Sequence, residues 1–134
     1  GRSYWFECSR CGYRVAVSGG PDRGHDFFVE TIHCQECGRL YDVVTRQRVP
    51  APPKPKGLRL HPFHPHKPPP SPPTFETALS NLPASNLKNT RWIKFKPVCP
   101  VARTHAITKW TDPGPCPCCG LPIDKNPLPY RIWE

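Results

Sequence analysis

The chain has 134 residues, a hydrophobic fraction of 37%, a mean hydropathy of -0.58, and 19 Lys and Arg against 10 Asp and Glu, for a formal charge of +9. So small and polar a chain has little apolar material for a large core or for a catalytic cleft walled by a big scaffold. No run reaches the roughly 18 apolar residues of a membrane span, and the opening GRSYWFEC has no hydrophobic signal region, so a soluble, cytoplasmic protein with no membrane partner is expected, Gly1 in place of Met suggesting a trimmed or tagged start.

The first elements read as short strands around cysteine turns. SYWFE before Cys8, YRVAVS after Gly12, DFFVETIH before Cys34 and LYDVVTRQRV after Gly38 are rich in aromatic and β-branched residues with partial period-2 alternation. SGGPDRG, with three Gly and a Pro, is a turn. Six of the eight cysteines form CxxC pairs followed at once by Gly: CSRCG, CQECG and CPCCG. Such a turn aims two thiolates at one metal ion, and the Gly supplies the positive φ that the turn needs after the second ligand. Cys8, Cys11, Cys34 and Cys37, with 22 residues between the pairs, have the spacing of a structural four-cysteine zinc site.

Residues 4–48 resemble the zinc-ribbon and rubredoxin-like families of small metal-binding proteins, and Tyr4-x3-Cys8-x2-Cys11-Gly12-Tyr13 is similar to the opening of rubredoxins. Rubredoxins usually close with CPxCG, whereas CQECG closes this stretch, and that departure favours zinc over an electron-carrying iron. A disulfide scaffold would scatter its cysteines among loops rather than pair them in CxxCG turns, and nothing reads as the β-α-β setting of a thioredoxin-type redox pair.

Residues 50–73 hold 11 prolines in 24 positions and no acidic residue, the composition of a polyproline II connector between two modules, or of a ligand for SH3 or WW domains. His61, His64 and His66 within it are held extended rather than wrapped round an ion, and His25 and His33 read as surface groups. TFETALSNL carries Thr74 or Thr77 as an N-cap for a turn or two of helix. TRWIKFKPV alternates, with Trp92, Lys94 and Lys96 on one face and Ile93 and Phe95 on the other; THAITKW is expected to pair with it, and LPYRIWE to add a third strand or to pack Trp133 onto the same module.

A second site is expected from Cys99, His105, Cys116 and Cys119, spaced by five, ten and two residues, with WTDPGPCPCCG resembling the closing knuckle of small bacterial zinc-ribbon proteins. Cys118 is then a bystander thiol, or a substitute for Cys99 or His105. A crossed arrangement, with Cys8 and Cys11 sharing an ion with Cys116 and Cys119, would strand Cys34 and Cys37.

The expected architecture is therefore a small, mostly β, metal-stabilised protein: a zinc ribbon over 1–48, a proline-rich connector over 49–73, and a zinc-ribbon-like module over 74–134. Two zinc ions are implied, with iron at the Cys8/Cys11/Cys34/Cys37 set as the alternative. The absence of HExxH, and of an HxE partner for PCPCC, argues against an enzyme and a small-molecule substrate. The expected role is a non-catalytic binding or adaptor module for nucleic acid or protein, the alternative a rubredoxin-like iron electron carrier. Arg91, Trp92, Lys94 and Lys96 are the candidate nucleic-acid contacts, since basic groups interleaved with aromatics neutralise phosphates and stack bases. Residues 1–48 carry +1, 49–73 carry +4 and 74–134 carry +4. Four thiolates around Zn2+ carry about -2 and three with a neutral imidazole about -1, so metallation leaves the chain near +6.

Overall fold

The structure is a computed structural model and describes residues 1–50, 71–80 and 89–134. Most of the proline-rich connector, including the histidines of HPFHPH, lies outside the described residues, as do the last two residues of TFETALSNL.

The chain opens with strands β1 (Arg2–Glu7) and β2 (Arg14–Val17), the short β3 (Asp22–Arg23) and the long pair β4 (Phe27–Cys34) and β5 (Arg39–Pro50). Apart from β3, each has the β-branched and aromatic content that its burial demands: β4 alternates at its start, with Phe27 and Val29 inside, and Thr31 and Ile32 are then buried in succession. Helix α1 (Phe75–Ser80) begins where the Thr74 hydroxyl accepts from the Thr77 amide at 3.2 Å. Strands β6 (Thr90–Lys94), β7 (Ile107–Lys109) and β8 (Asp124–Ile132) complete the fold.

The second half of the chain folds back along the first in reverse order. β6 pairs antiparallel with β5, β7 with the end of β4, and β8 with β1. One sheet has the order β2-β1-β8; the other has β3-β4-β5-β6, with β7 beside β4 past the point where β3 ends. The expected separation into an N-terminal ribbon and a C-terminal module is therefore corrected: each sheet contains strands from both ends of the chain. THAITKW pairs with β4 instead of TRWIKFKPV, and LPYRIWE joins the sheet of β1. The reason is edge satisfaction. After the β1–β2 and β4–β5 hairpins form, β1, β4 and β5 each still offer an unpaired edge of backbone donors and acceptors, and the returning strands pair with those edges.

Three apolar clusters follow from this nesting. Phe6, Cys8, Val17, Leu40, Trp110, Cys116 and Ile123 form one group, and Ile32, Cys34, Val43 and Cys99 form a second. Phe27, Val29, Val44, Ala78 and Trp133 form the third, in which the Phe27 and Trp133 rings stack at 4.4 Å and 5°. Trp133 also brings the termini together, its amide donating to the Gly1 carbonyl at 2.9 Å. Among the described residues no helix is long and apolar enough to cross a membrane.

Candidate metal centres

The three CxxCG turns have one local geometry. In each, the Gly amide donates to the carbonyl of the first cysteine at 2.9 Å, and the Gly takes a positive φ: 77° at Gly12, 62° at Gly38 and 76° at Gly120. Amides behind the turn reach the sulfurs, Cys37 N to Cys34 Sγ and Cys118 N to Cys116 Sγ both at 3.4 Å. The Cys99 loop makes half of such a knuckle, with Val101 N 3.4 Å from Cys99 Sγ, and a turn from Ala102 to His105 brings the imidazole round in place of a second cysteine.

These ligands assemble into two sets of four. Cys8, Cys11, Cys116 and Cys119 form one, and Cys34, Cys37, Cys99 and His105 the other; within each, the ligand atoms all lie within 4.8 Å of one another. The first set joins the β1–β2 turn to the β7–β8 loop, the second the β4–β5 turn to the β6–β7 loop. The sets expected from sequence order, Cys8/Cys11 with Cys34/Cys37 and Cys99/His105 with Cys116/Cys119, do not come together. The crossed arrangement strands no cysteine pair, because Cys99 and His105 complete the set of Cys34 and Cys37. Strand pairing decides the grouping: β8 on β1 carries the last knuckle to the first, while β6 on β5 and β7 on β4 hold the loop between them over the middle one.

The spacings suit a tetrahedral ion. Bonds of about 2.3 Å to sulfur and about 2.0–2.1 Å to imidazole nitrogen imply ligand-to-ligand edges of about 3.8 Å between sulfurs and about 3.5 Å from sulfur to nitrogen. Cys8 Sγ to Cys119 Sγ and Cys11 Sγ to Cys116 Sγ are both 3.5 Å, and Cys37 Sγ to Cys99 Sγ is 3.7 Å. His105 Nδ1 stands 3.5 Å from both Cys34 Sγ and Cys37 Sγ. A disulfide needs about 2.05 Å between sulfurs, and all eight cysteines are free.

Electrostatics within each set are compatible with a cation at its centre. The amides of Cys11 and Arg10 bring the Cys8 thiol down to about 6. Burial raises the Cys99 thiol, but the amides of Ala102 and Val101 and the His105 ring outweigh it and bring it to about 7. Their neighbours move the other way. The Tyr13 amide lowers Cys11, yet burial and the Cys116 and Cys8 sulfurs prevail and push it up to about 12; burial and the Cys37 sulfur push Cys34 up to about 11. Crowded thiols resist ionising together, and a divalent ion at their centre removes that resistance.

Residues beside the ligands clip the loops together. Glu36 Oε2 accepts from the Ala106 amide at 3.0 Å, tying the Cys34 knuckle to the His105 loop. Trp110 packs edge-on against Phe6 at 5.3 Å and donates from Nε1 to the Pro115 carbonyl at 2.8 Å, fixing the approach to Cys116. Cys118 belongs to neither set; its exposed thiol points at the Gly38 carbonyl, 3.4 Å away.

The candidate nucleic-acid contacts lie at the far edge of the larger sheet. Trp92 and Lys94 are exposed on the outer face of β6 and Lys96 is exposed just beyond its end, while Arg91 alternates to the opposite face. Trp92 is 45% exposed. No family model, curated protein or solved structure matches this chain.

Proposed function

We propose that the protein is a non-catalytic zinc protein of the cytoplasm, with one ion held by Cys8, Cys11, Cys116 and Cys119 and another by Cys34, Cys37, Cys99 and His105, acting through its surface as a nucleic-acid or protein binding module. The observation that carries this reading is the closure of both ligand sets by four soft side chains taken from opposite ends of the chain. Zinc favours tetrahedral thiolate and imidazole donors, and four protein ligands leave no open position for a reacting water. Each ion then works as a cross-link, and structural zinc sites contribute on the order of 10 kcal/mol to folding at neutral pH. Metal analysis of the purified protein should find two zinc ions per chain, and strong chelators should unfold it. One ion per chain, or a fold unchanged by metal removal, overturns the reading.

A second reading is favoured by one observation. The grouping sets the rubredoxin-like opening Tyr4-x3-Cys8-x2-Cys11-Gly12-Tyr13 against Cys116-Pro117-Cys118-Cys119-Gly120, which has the CPxCG form with which rubredoxins usually close. An iron electron carrier at the four-cysteine set is thus the alternative. A ferric tetrathiolate absorbs visible light and zinc does not, so protein that stays colourless after oxidation excludes it.

A further inference from the structure

The outer face of the larger sheet carries a row of side chains that no contiguous stretch of sequence announces. Arg23 on β3 stands opposite Phe28 on β4, Phe28 opposite Arg46 on β5, and Arg46 opposite Lys94 on β6. Directly paired residues share a face, so these four side chains cross the sheet in one line, about 14 Å long at an interstrand spacing of about 4.8 Å. Trp92, two residues before Lys94, lies on the same face, its ring edge-on to Phe28 at 5.1 Å and 77°. The Arg23 and Arg46 guanidiniums sit 5.8 and 5.5 Å from the centre of the Phe28 ring.

The core does not account for this row. Phe27, one residue before Phe28, is fully buried on the other face against Trp133 and Ala78. Phe28 and Trp92 instead stay partly exposed, and shallow depressions of about 330 and 360 Å³ open on either side of the Phe28 ring. Of the nearby acids, Asp22 accepts from the Arg2 and Arg23 amides and Asp26 pairs with Arg48, while Glu30, 3.8 Å from Lys109, and the exposed Glu134 line the rims of the two depressions. Among the described residues no carboxylate pairs with Arg23, Arg46 or Lys94. Cations flanking half-exposed rings on an open sheet face match a strand whose phosphates need neutralising and whose bases present flat π surfaces.

We propose that this face binds single-stranded nucleic acid, with Trp92 and Phe28 as the stacking platform and Arg23, Arg46 and Lys94 as the phosphate contacts. The inference rests on the binding-module reading above and names its partner. A duplex keeps its bases stacked on each other, so the single strand is preferred.

The test uses the full metal-loaded chain and labelled oligonucleotides of about 12 nucleotides, single-stranded DNA, RNA and duplex, followed by fluorescence anisotropy. Three phosphate contacts at a slope of about 0.7 each predict that affinity for the single strand falls about 100-fold over a tenfold rise in salt. The R46Q/K94Q variant should lower that slope to about a third, and W92A should weaken binding about fivefold or more with the slope unchanged. Duplex bound as tightly as single strand, no binding at low salt, or variants without effect would overturn the proposal. So would loss of binding on Arg14→Gln with Arg131→Gln, because it would place the strand in the separate groove lined by Tyr13, Tyr41 and Tyr130. Metal content and thermal unfolding of each variant identify any that fail to fold. A chain with two zinc ions that ignores every oligonucleotide overturns only the nucleic-acid inference and leaves a protein partner; a chain without zinc overturns the function proposed above.

Discussion

Cys11 Sγ stands 3.5 Å from Cys116 Sγ, across 105 residues of chain. As ligands of one ion in the function proposed above, the two cysteines should fail together. Cys11→Ser and Cys116→Ser should each leave one ion per chain, and so should the double variant, by mass spectrometry under native conditions. Cys34→Ser with Cys99→Ser should remove the other ion. Sequential sites would behave differently, the Cys11/Cys116 double variant losing both.

Gly38 tests the knuckle geometry. Its φ of +62° lies in the left-handed region, yet a Cβ there would meet none of the described residues within 4 Å, so backbone strain is what penalises a side chain. Gly38→Ala should cost about 1–2 kcal/mol in denaturant unfolding of the metal-loaded protein. Gly38→Asn should cost less, because Asn tolerates that region best among residues with a Cβ.

Trp133 closes the third core cluster at 4% exposure, between the Phe27 ring and the edge of Phe75 at 5.5 Å. Trp133→Ala should destabilise by about 3–5 kcal/mol. Its Nε1 has no hydrogen-bond partner among the described residues, so Trp133→Phe gives up no polar contact there and should retain most of the stability. A urea series on the two variants distinguishes stacking from bulk.

Asp42 is half-buried, with no cationic partner among the described residues. Its carboxylate accepts from the Ser18 amide at 2.8 and 3.0 Å, the Ser18 hydroxyl at 2.9 Å and the Thr31 hydroxyl at 2.7 Å, yet burial outweighs these bonds and raises it from 3.8 to about 6. Between those values the folded chain keeps a proton that the unfolded chain has released. Stability therefore falls as pH rises from about 4 to about 6 and levels off above, by a total of about 3 kcal/mol from this group. Asp42→Asn should remove that component from the difference between the two pH-stability curves. A carboxyl 13C titration placing Asp42 near 4 would contradict it.

Much of the fold was legible in short windows. The alternation of SYWFE, DFFVETIH and TRWIKFKPV locates β1, β4 and β6, and the Thr74 cap locates α1, since backbone propensity and face alternation act over a few residues. The three CxxCG turns were legible for the same reason: a hydrogen bond from Gly to the first cysteine and a positive φ are local events. The Arg23-Phe28-Arg46-Lys94 row was not, because its members come from four strands and only lateral pairing aligns them.

The sequence by itself thus determined the currency of the fold: short strands, metal-binding turns, a polar chain with too little apolar surface to close without cross-links. Only the tertiary structure decided which turn meets which. Spacing along the chain made Cys8/Cys11 and Cys34/Cys37 natural partners, but Cys8 and Cys11 lie on the β1–β2 turn and Cys34 and Cys37 on that of another hairpin, in a different sheet. The returning strands bring β8 to β1 and β7 to β4, so the first knuckle meets the last and the middle one meets Cys99 and His105. Ligand pairing follows backbone hydrogen bonds formed between residues 73 to 130 positions apart, and no local pattern encodes those.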